Sequence, residues 1–598
     1  MRIKTIISLT ITVLILTMLV GCNLKNLRSS MNDTKEAVDN EKTQIYIGLG
    51  TNGLTEWMDF EAKKFEEEYK DVSFEDGKVG VQVYYNFNNN YQNYDTFPLQ
   101  YSKYPEKLFI TERIPYRKIK EFAIEITDIC TEPLNINNVT KKVEGTDTST
   151  IASTMTKSFN DYYGYEGRYY ALPCEEVRGG LVYDVDLFNE YALYFAKESS
   201  DIKYEYTCYN VYTEEEGTYY FVDSYADREW TSDDLETGPD GEYGTYDDGL
   251  PRTYEEFFAL CDYMYKEFNI TPICWAGKVQ SYFSAILENL AADYHKEEFR
   301  LISTFNGETT VACFDQDGKL MFNEDGSVKT ERITINEHNG YRLTDQIGFY
   351  YGLKFLQTIL DSDYYDYSQC FGGTIDHLTT QRTYLQSKTS AVNKPIAMLC
   401  EGSWWLGEAS GKFASMAETY GEEWSKENRN FGYIPTPKVS LDELGQQSYS
   451  MILDMNMFIT DACPKELIPL YKLFIKHIYR RDGLIDFLRI TGIMRPFDLE
   501  LTEDEYNSLI GFGKANYNMH KASNPLFMVS YNKIFNSNES IFNSSQGLHT
   551  KCQLGGTPSM IMNPKLKDKL DYKTYFEQIH AYWDQESWDM LVKNYYSD

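Results

Sequence analysis

Histidine and closely spaced cysteine are scarce in this chain, as are the motifs that mark common catalytic sites. The seven histidines are dispersed without metal-ligand spacing, and no CxxC pair occurs, which excludes zinc-knuckle and thioredoxin-type sites. HExxH, GxSxG and P-loop patterns are also absent. Among 91 acidic residues no spacing marks a carboxylate pair for glycoside hydrolysis. The sequence therefore predicts a protein that is not an enzyme and that requires no cofactor.

Positive charge is also in short supply. The chain has 57 basic against 91 acidic residues, for a net charge of -34. Nucleic acid is excluded as a partner because its phosphates are bound by clustered Lys and Arg. Polybasic docking on anionic lipid is excluded for the same reason. The acidic excess instead favours solubility at a crowded surface.

The N-terminal segment indicates export. Met1 to Lys4 is positively charged, and the mostly apolar run 6–20 is followed by Gly21 and Cys22. This pattern is typical of a secretory signal peptide, here 1–21, and at about 15 residues the run is short for a membrane span. Leu-Val-Gly-Cys at 19–22 resembles the lipobox of bacterial lipoproteins.

That resemblance implies that Cys22 becomes the first residue and carries lipid, with acyl chains such as palmitate. Such an anchor ties a protein to the outer face of the bacterial cell membrane, an extracytoplasmic location. Residues 22–42 are polar and without period, so we predict a flexible tether.

Cysteine, tyrosine and chain length add three expectations. Besides Cys22, ten cysteines are scattered, several in apolar runs such as the one around Cys400. The apolar surroundings favour buried free thiols. A few disulfides are the alternative interpretation for a protein outside the cell. The chain has 51 Tyr, which offers flat faces for a ligand. About 575 residues after the signal peptide exceed one hydrophobic core, which predicts two lobes.

A strand, a helix and a strand open the folded part. The runs 44–49 and 81–85 are strand-like, and between them 55–70 has apolar residues at helical spacing with Thr55 as a candidate N-cap. This order is a βαβ unit and predicts a parallel sheet in an α/β fold. The segment 190–252 differs, because it is acidic, Tyr-rich and poor in apolar periods, which indicates an insertion.

Three segments, in this order, resemble the extracellular solute-binding proteins of carbohydrate ABC importers (family 1), the group that includes maltodextrin binders. The first is GRYYALP at 167–173 with GLVYD at 180–184 and DLF at 186–188. The second is IAMLCEGSWW at 396–405, and the third is FGYIPTP at 431–437. Each motif is short, and the resemblance rests on the ordered set.

The resemblance implies a two-lobed, periplasmic-binding-protein-like (type II) Venus-flytrap fold with hinge crossings between the lobes. Lobe I would hold 43–172 plus 450–493. Lobe II would hold 180–448 plus 497–598, with the acidic insertion at about 190–252. The crossings would lie near 173–180, 448–454 and 493–496.

The implied function is that of a monomeric substrate-binding lipoprotein of an ABC importer. It would capture a mono- or oligosaccharide in the interlobe cleft and deliver it to the transmembrane subunits of a permease. Two alternatives stay open: a surface glycan-binding lipoprotein not coupled to transport, and a receptor for a non-sugar solute such as a peptide. One departure from the family is Pro105-Glu106, where many sugar binders have Pro-Asp, so the ligand stays open.

The candidate ligand-binding residues centre on the second segment. A sugar ring packs its C–H face on an aromatic plane, and its hydroxyls need polar partners such as Glu401. In the family the Trp that matches Trp404 stacks on the sugar, whereas Trp404 and Trp405 have core packing as the alternative interpretation. Further candidates, which core packing or mutual ion pairs would also explain, are Trp57, Trp275, Glu175, Glu176 and Arg178.

A second constellation lies in the predicted insertion, in GPDGEYGTYDDG at 238–249. Calcium takes six to eight oxygen ligands on a flexible loop, and the segment resembles extracellular calcium loops. The predicted ligands of a structural Ca²⁺ are Asp240, Thr245, Asp247 and Asp248. An acidic surface loop is the alternative, and Pro251 at position 12 excludes an EF-hand.

Overall fold

The computed structural model describes residues 38–136, 143, 148–301, 305–389, 394–453, 455–527 and 556–596. The predicted signal peptide, Cys22 and most of the predicted tether lie outside the described residues. The chain divides into two compact units. Unit 1 is Met1–Thr154, Tyr163–Cys174 and Met455–Asp486; unit 2 is Met155–Tyr162, Glu175–Asp454 and Phe487–Asp598. The predicted lobe limits stay a prediction.

The strands are numbered in chain order. They are β1 Thr43–Leu49, β2 Val81–Phe87, β3 Leu108–Thr111, β4 Leu172–Pro173, β5 Val177–Asp184, β6 Lys203–Asn210, β7 Glu215–Val222, β8 Thr271–Cys274, β9 Gly307–Ala312, β10 Thr330–Ile335, β11 Ile396–Gly402, β12 Phe431–Tyr433, β13 Ser448–Leu453, β14 Asn456–Ile459 and β15 Ser523–Phe527.

The helices of seven or more residues are numbered likewise. They are α1 Thr55–Glu68, α2 Lys157–Tyr163, α3 Val185–Tyr191, α4 Tyr254–Phe268, α5 Gln280–His295, α6 Ile347–Leu360, α7 His377–Ser387, α8 Ser410–Tyr420, α9 Ile468–Tyr479, α10 Arg481–Thr491, α11 Gly511–Ala522, α12 Tyr572–Tyr582 and α13 Gln585–Tyr596. Shorter α-helices are Phe97–Gln100, Tyr116–Ile119, Thr127–Thr131, Ile151–Thr154, Tyr367–Cys370, Trp405–Glu408, Glu503–Asn507 and Pro558–Ile561.

Unit 1 is built on a five-stranded sheet in the order β2-β1-β3-β14-β4. β1 runs parallel to β2 and β3, whereas β14 is antiparallel to β3 and β4. The predicted βαβ unit is confirmed, with α1 between two parallel strands. The predicted cap is wrong: the cap position is Leu54, and the Thr55 hydroxyl donates back to the carbonyl of Asn52 at 2.8 Å.

Unit 2 has a larger sheet in the order β15-β13-β5-β11-β8, and β12 also pairs with β5. β11 is parallel to β8 and antiparallel to β5. Every residue of β11 is buried, as its continuous apolar run requires for a strand with neighbours on both sides. The two units of mixed helix and sheet confirm the predicted α/β class.

Two antiparallel hairpins stand apart from these sheets in unit 2. β6 pairs with β7 inside the predicted insertion, and β9 pairs with β10. One face of the β6–β7 hairpin is buried, because Tyr206 and Phe221 belong to the core and pack on Tyr263 of α4. The acidic Tyr-rich segment therefore covers α4 rather than extending freely.

The described cysteines behave as the apolar runs predicted. Nine are free, and all of them except Cys313 are buried. Burial raises the pKa of the Cys274 and Cys400 thiols well above the usual value, which makes them unreactive. Cys552 lies outside the described residues. Within the part of the chain that the structure describes, no helix is long and apolar enough to cross a membrane.

Candidate functional site

The candidate site lies in unit 2 where β11 ends. Glu401 and Gly402 are the last residues of the strand and pair with Gly180 and Gly179 of β5. Ser403 and Trp404 form the turn that leads into the short helix Trp405–Glu408. The end of a strand before a helix is the usual place for a ligand in an α/β sheet.

Trp404 is held in a defined orientation. It is half-buried, and its ring lies over Gly402, where a Cβ atom would come within 2.0 Å of the indole Cζ3. Tyr282 of α5 meets the same indole edge-on, with ring centroids 5.7 Å apart and an angle of 61° between the planes. Glycine at 402 thus makes room for the ring, and Tyr282 supports it from the side.

A polar cluster lies beside this aromatic pair. The side-chain amide of Gln381 on α7 donates to Glu401 Oε1 at 3.1 Å and to Glu408 Oε2 at 3.0 Å. His377 Nε2 is 3.8 Å from Glu408 Oε2, and its ring meets Tyr282 at 6.4 Å. A continuous series of contacts therefore links Trp404 to Glu401. It passes through Tyr282, His377, Glu408 and Gln381 in that order. We call Trp404, Tyr282, His377, Gln381, Glu401 and Glu408 the Trp404 site.

The two carboxyls of the Trp404 site are protonated more readily than usual. Burial raises the pKa of Glu401 to about 8, and the charge of Glu408 adds to the effect. Burial also raises the pKa of Glu408. Glu401 and Gln381 are buried, whereas Glu408 and His377 are half-buried. The Trp404 site therefore combines two half-buried groups, the Trp404 ring and the Glu408 carboxyl, with two buried ones. The buried groups are the Gln381 amide and the neutral Glu401 carboxyl.

Trp405 points into the core. It is fully buried and meets Phe431 edge-on at 4.9 Å and Phe413 at 5.8 Å. Its indole N–H has no hydrogen-bond partner among the described residues. Adjacent residues on a helix point in different directions, so Trp404 and Trp405 cannot share one role. A ligand contact by Trp405 stays a prediction that this packing does not favour.

The other two predicted tryptophans are also fully buried. Trp275 stacks on Phe283 at 4.3 Å and packs on Tyr365, and its indole donates to Gln280 Oε1 at 3.2 Å. Trp57 lies on α1 in unit 1. Both predictions of ligand contact stay predictions, and the packing of both side chains is that of core residues.

Glu176 and Arg178 form a buried ion pair, not a solvent-exposed one. Arg178 donates to Glu176 Oε2 at 2.9 Å, to Ser523 Oγ at 2.8 Å and to Ser450 Oγ. His520 Nδ1 lies 2.8 Å from Glu176 Oε1. Burial opposes ionisation, but the charges of His520 and Arg178 bring the pKa of Glu176 down to about 2. The network ties β5, β13 and β15 together.

Ser403 joins this network to the turn that carries Trp404. Its hydroxyl donates to the carbonyl of Glu176 at 3.1 Å and accepts from the amide of Arg178 at 3.2 Å. Its own amide donates to the carbonyl of Arg178 at 2.8 Å. Glu175 is buried beside them. The structure thus gives Glu176 and Arg178 a positioning role, and their contact with a ligand stays a prediction.

A cavity of about 430 Å³ in unit 2 borders the same network. Its lining includes His520 and Ser523 together with charged side chains, several of which form ion pairs. Arg300 pairs with Glu297 at 3.3 Å, and Lys521 pairs with Glu500. Because these charges are already satisfied, the cavity is a weaker candidate than the Trp404 site.

The predicted calcium residues come together in part. The Thr245 hydroxyl donates to Asp247 Oδ1 at 2.7 Å and lies 3.3 Å from Asp248 Oδ1, and the backbone amide of Asp240 donates to Asp247 Oδ2 at 3.3 Å. A Cβ atom at Gly238 would lie 2.2 Å from the Asp247 carboxyl carbon. In the described residues no group of three or more His, Cys, Asp or Glu is arranged to hold a metal.

Four members of the Trp404 site were missed in the sequence. Glu408 has the one available signal, because it lies four residues after Trp404 and thus on the same helical face. Tyr282 on α5 and the pair His377 and Gln381 on α7 come from other parts of the chain, and no local pattern marks them.

No family model and no curated protein matches the chain. Similar solved structures include a chitin oligosaccharide binding protein, with 12% identity over 92% of this chain and 100% of that chain and a TM-score of 0.48. The maltose-bound MalE3 of T. maritima is 11% identical over 92% and 100%, with a TM-score of 0.49. A manno-oligosaccharide specific solute binding protein from Bifidobacterium animalis subsp. lactis, in complex with mannotriose, is 12% identical over 92% and 95%, with a TM-score of 0.47.

Proposed function

We propose that this chain is the substrate-binding lipoprotein of an ABC importer. It captures a mono- or oligosaccharide at the Trp404 site and delivers it to a membrane permease, without chemical conversion. The observation that carries the proposal is that, of the four predicted tryptophans, only Trp404 is not fully buried. The ordered resemblance of three sequence segments to this family supports it.

The physics of the site suits a sugar. The C–H face of a pyranose packs on an indole plane, and the edge of the same ring presents hydroxyls. The half-buried carboxyl of Glu408, fixed by Gln381, is placed to accept from such a hydroxyl. Apolar packing on a flat face with a few placed polar groups is how small-molecule sites combine affinity with orientation.

Calorimetric titration of the full chain against a panel of mono- and oligosaccharides tests this function. Micromolar or tighter binding of one sugar, lost in Trp404→Ala, is the expected result. Trp424→Ala is the matched control, because Trp424 is half-buried in the same unit and outside the site. Silence across the panel from a folded protein would favour a peptide or another solute and leave Trp404 as a packing residue.

We propose as well that the protein is lipid-anchored through Cys22 on the outer face of the cell membrane. The lipobox-like sequence at 19–22 supports this. Metabolic labelling with palmitate tests it. The wild-type chain should carry label in the membrane fraction and Cys22→Ser should not. Equal labelling of both would contradict the anchor.

A structural calcium ion at the loop 240–248 is a further part of the proposal. Asp247 and Asp248 are buried, and no Lys or Arg lies within ion-pair distance of either among the described residues. Carboxylate and hydroxyl oxygens are ligands that calcium takes. Asp240, Thr245, Asp247 and Asp248 would hold the ion, and its charge would supply the compensation that the chain itself does not.

A further inference from the structure

Buried carboxylates of unit 2 usually have a basic partner. The ion pairs are Glu176–Arg178, Asp184–Arg429, Asp234–Arg228, Glu256–Arg252, Asp262–Lys266, Asp293–Lys438 and Asp345–Arg342. Glu401, like Asp247 and Asp248, departs from this pattern. It is 2% exposed, and no Lys, Arg or His lies within ion-pair distance of it in the described parts of the chain. Ionising an unpaired buried carboxyl is costly, so Glu401 stays neutral in the unliganded site, and a cation placed beside it would favour its ionised form.

The neighbours of Glu401 add further hydrogen-bond acceptors and do not supply the missing positive charge. Glu408 shares the same Gln381 amide, and the other donor to Glu401 is the backbone amide of Gly402, 3.4 Å from Glu401 Oε2. Gln381 is fully buried, and its Oε1 has no hydrogen-bond partner among the residues that the structure describes. Turning the amide over would only exchange which end lacks a partner. Acceptors therefore outnumber donors, and His377, 3.8 Å from Glu408, is the nearest basic group.

A third unpaired carboxyl lies on the helix that carries Tyr282. Glu288 is six residues further along α5, about 9 Å along the helix axis. It is half-buried, and no hydrogen-bond or ion-pair partner for it occurs in the described ranges. Burial alone raises the pKa of this carboxyl to about 8. Glu288 is thus a further unpaired carboxyl on α5, on a different side of the helix from Tyr282.

We propose that the Trp404 site selects saccharides that carry a primary amine, with Glu408 and Glu401 receiving the ligand's ammonium group beside Trp404. The inference rests on the proposed sugar-binding function and names the ligand class for the same site. An ammonium group has three N–H donors and a positive charge, which is what two carboxyls and an unpartnered amide oxygen lack. It is also attracted to the face of an indole ring.

A neutral sugar fits the same cluster less well. A hydroxyl donates once and carries no charge, so it leaves one carboxyl of the pair uncompensated. Hydrogen bonds in which the donor is charged are roughly twice as strong as neutral ones. Two sugars that differ only by an amine or a hydroxyl at one ring position stack on Trp404 in the same way. The difference between their binding affinities therefore measures the contribution of the two carboxyls.

The test compares three β-1,4-linked trisaccharides in calorimetric titration of the full chain at neutral pH. They are the glucosamine trimer, its N-acetylated form and cellotriose. At carbon 2 of each ring these sugars carry an amine, an acetamide and a hydroxyl, respectively. We expect the glucosamine trimer to bind at least about tenfold more tightly than cellotriose. Glu408→Gln should reduce that preference to about twofold or less, and Glu418→Gln, an exposed carboxyl on α8, should leave it intact.

The outcomes separate this inference from the proposed function. Cellotriose or another neutral sugar binding as tightly as the amine form, with loss in Trp404→Ala, would overturn the amine selectivity and leave the sugar receptor standing. An unchanged preference in folded Glu408→Gln would also overturn the inference. No binding of any saccharide in the wider panel would remove the proposed function and the inference with it.

Discussion

The indole ring of Trp404 lies over Gly402 so closely that a Cβ atom at residue 402 would sit 2.0 Å from Cζ3. Trp404 is the only half-buried tryptophan among the four predicted ones. Its ring occupies the space that glycine, which has no side chain, leaves at residue 402. Since Trp404 is half-buried, its ring is free to move outward when that space is filled.

Gly402→Ala should therefore displace the Trp404 ring while the fold is retained. We expect a change in tryptophan fluorescence and a loss of sugar affinity of about tenfold or more. Gly411→Ala is the matched control, because Gly411 lies on α8 and a Cβ atom added there would meet nothing within 4 Å. An unaltered affinity in Gly402→Ala would mean that the orientation of this ring is irrelevant to binding.

Trp405→Ala should act on stability. The side chain is fully buried against Phe431 and Phe413, and truncating a buried Trp typically costs about 3–5 kcal/mol. Trp404→Ala, at a half-buried position, should change the free energy of unfolding by less than about 1 kcal/mol. Urea unfolding of both variants checks this, and equal losses would contradict the division of roles.

Glu401 should make stability depend on pH. Its pKa is raised from 4.5 to about 8, so the folded state favours the protonated form. That stabilisation is complete below the unfolded pKa and is lost as pH rises through about 8. We expect the free energy of unfolding to fall less between about pH 5 and pH 8.5 in Glu401→Gln than in the wild type. Identical pH slopes would show that Glu401 ionises normally, and Glu418→Gln serves as the control.

Arg178→Met should destabilise unit 2. It leaves Glu176 buried without its main partner, and removing one member of a buried pair costs about 3–5 kcal/mol. The double variant Glu176→Gln/Arg178→Met removes both charges and should recover part of that loss. Thermal unfolding measures both. A double variant that is less stable than the sum of the single ones would contradict a mutual pairing.

Calcium should stabilise the loop 240–248 if the ion binds there. Removing calcium with a chelator should lower the melting temperature of the wild type, and re-adding it should restore the value. Asp247→Asn should abolish this response, because Asp247 is the buried carboxylate at the centre of the loop. Asp442→Asn, at an exposed position in the same unit, should respond like the wild type. A wild-type melting temperature indifferent to calcium would exclude the ion.

Local sequence patterns predicted the first elements of the fold. The strand, helix and strand at the start of unit 1 are present with nearly the expected limits. These features follow from periodicity, which acts within a few turns of chain. The predicted cap at Thr55 was wrong, because the Thr55 hydroxyl donates to the carbonyl of Asn52 instead of capping the helix.

By itself, the sequence determined the α/β class, the burial of the free cysteines and the segment in which Trp404 and Trp405 lie. Only the tertiary structure decided that Trp404 stays half-buried whereas Trp405 is in the core, and that Glu176 and Arg178 are a buried pair. It alone brought Tyr282, His377 and Gln381 to Glu401 and Glu408. The physical reason is distance along the chain. Periodicity reports one face of one element, whereas these hydrogen bonds join residues that are 20 to 345 positions apart and meet only after folding.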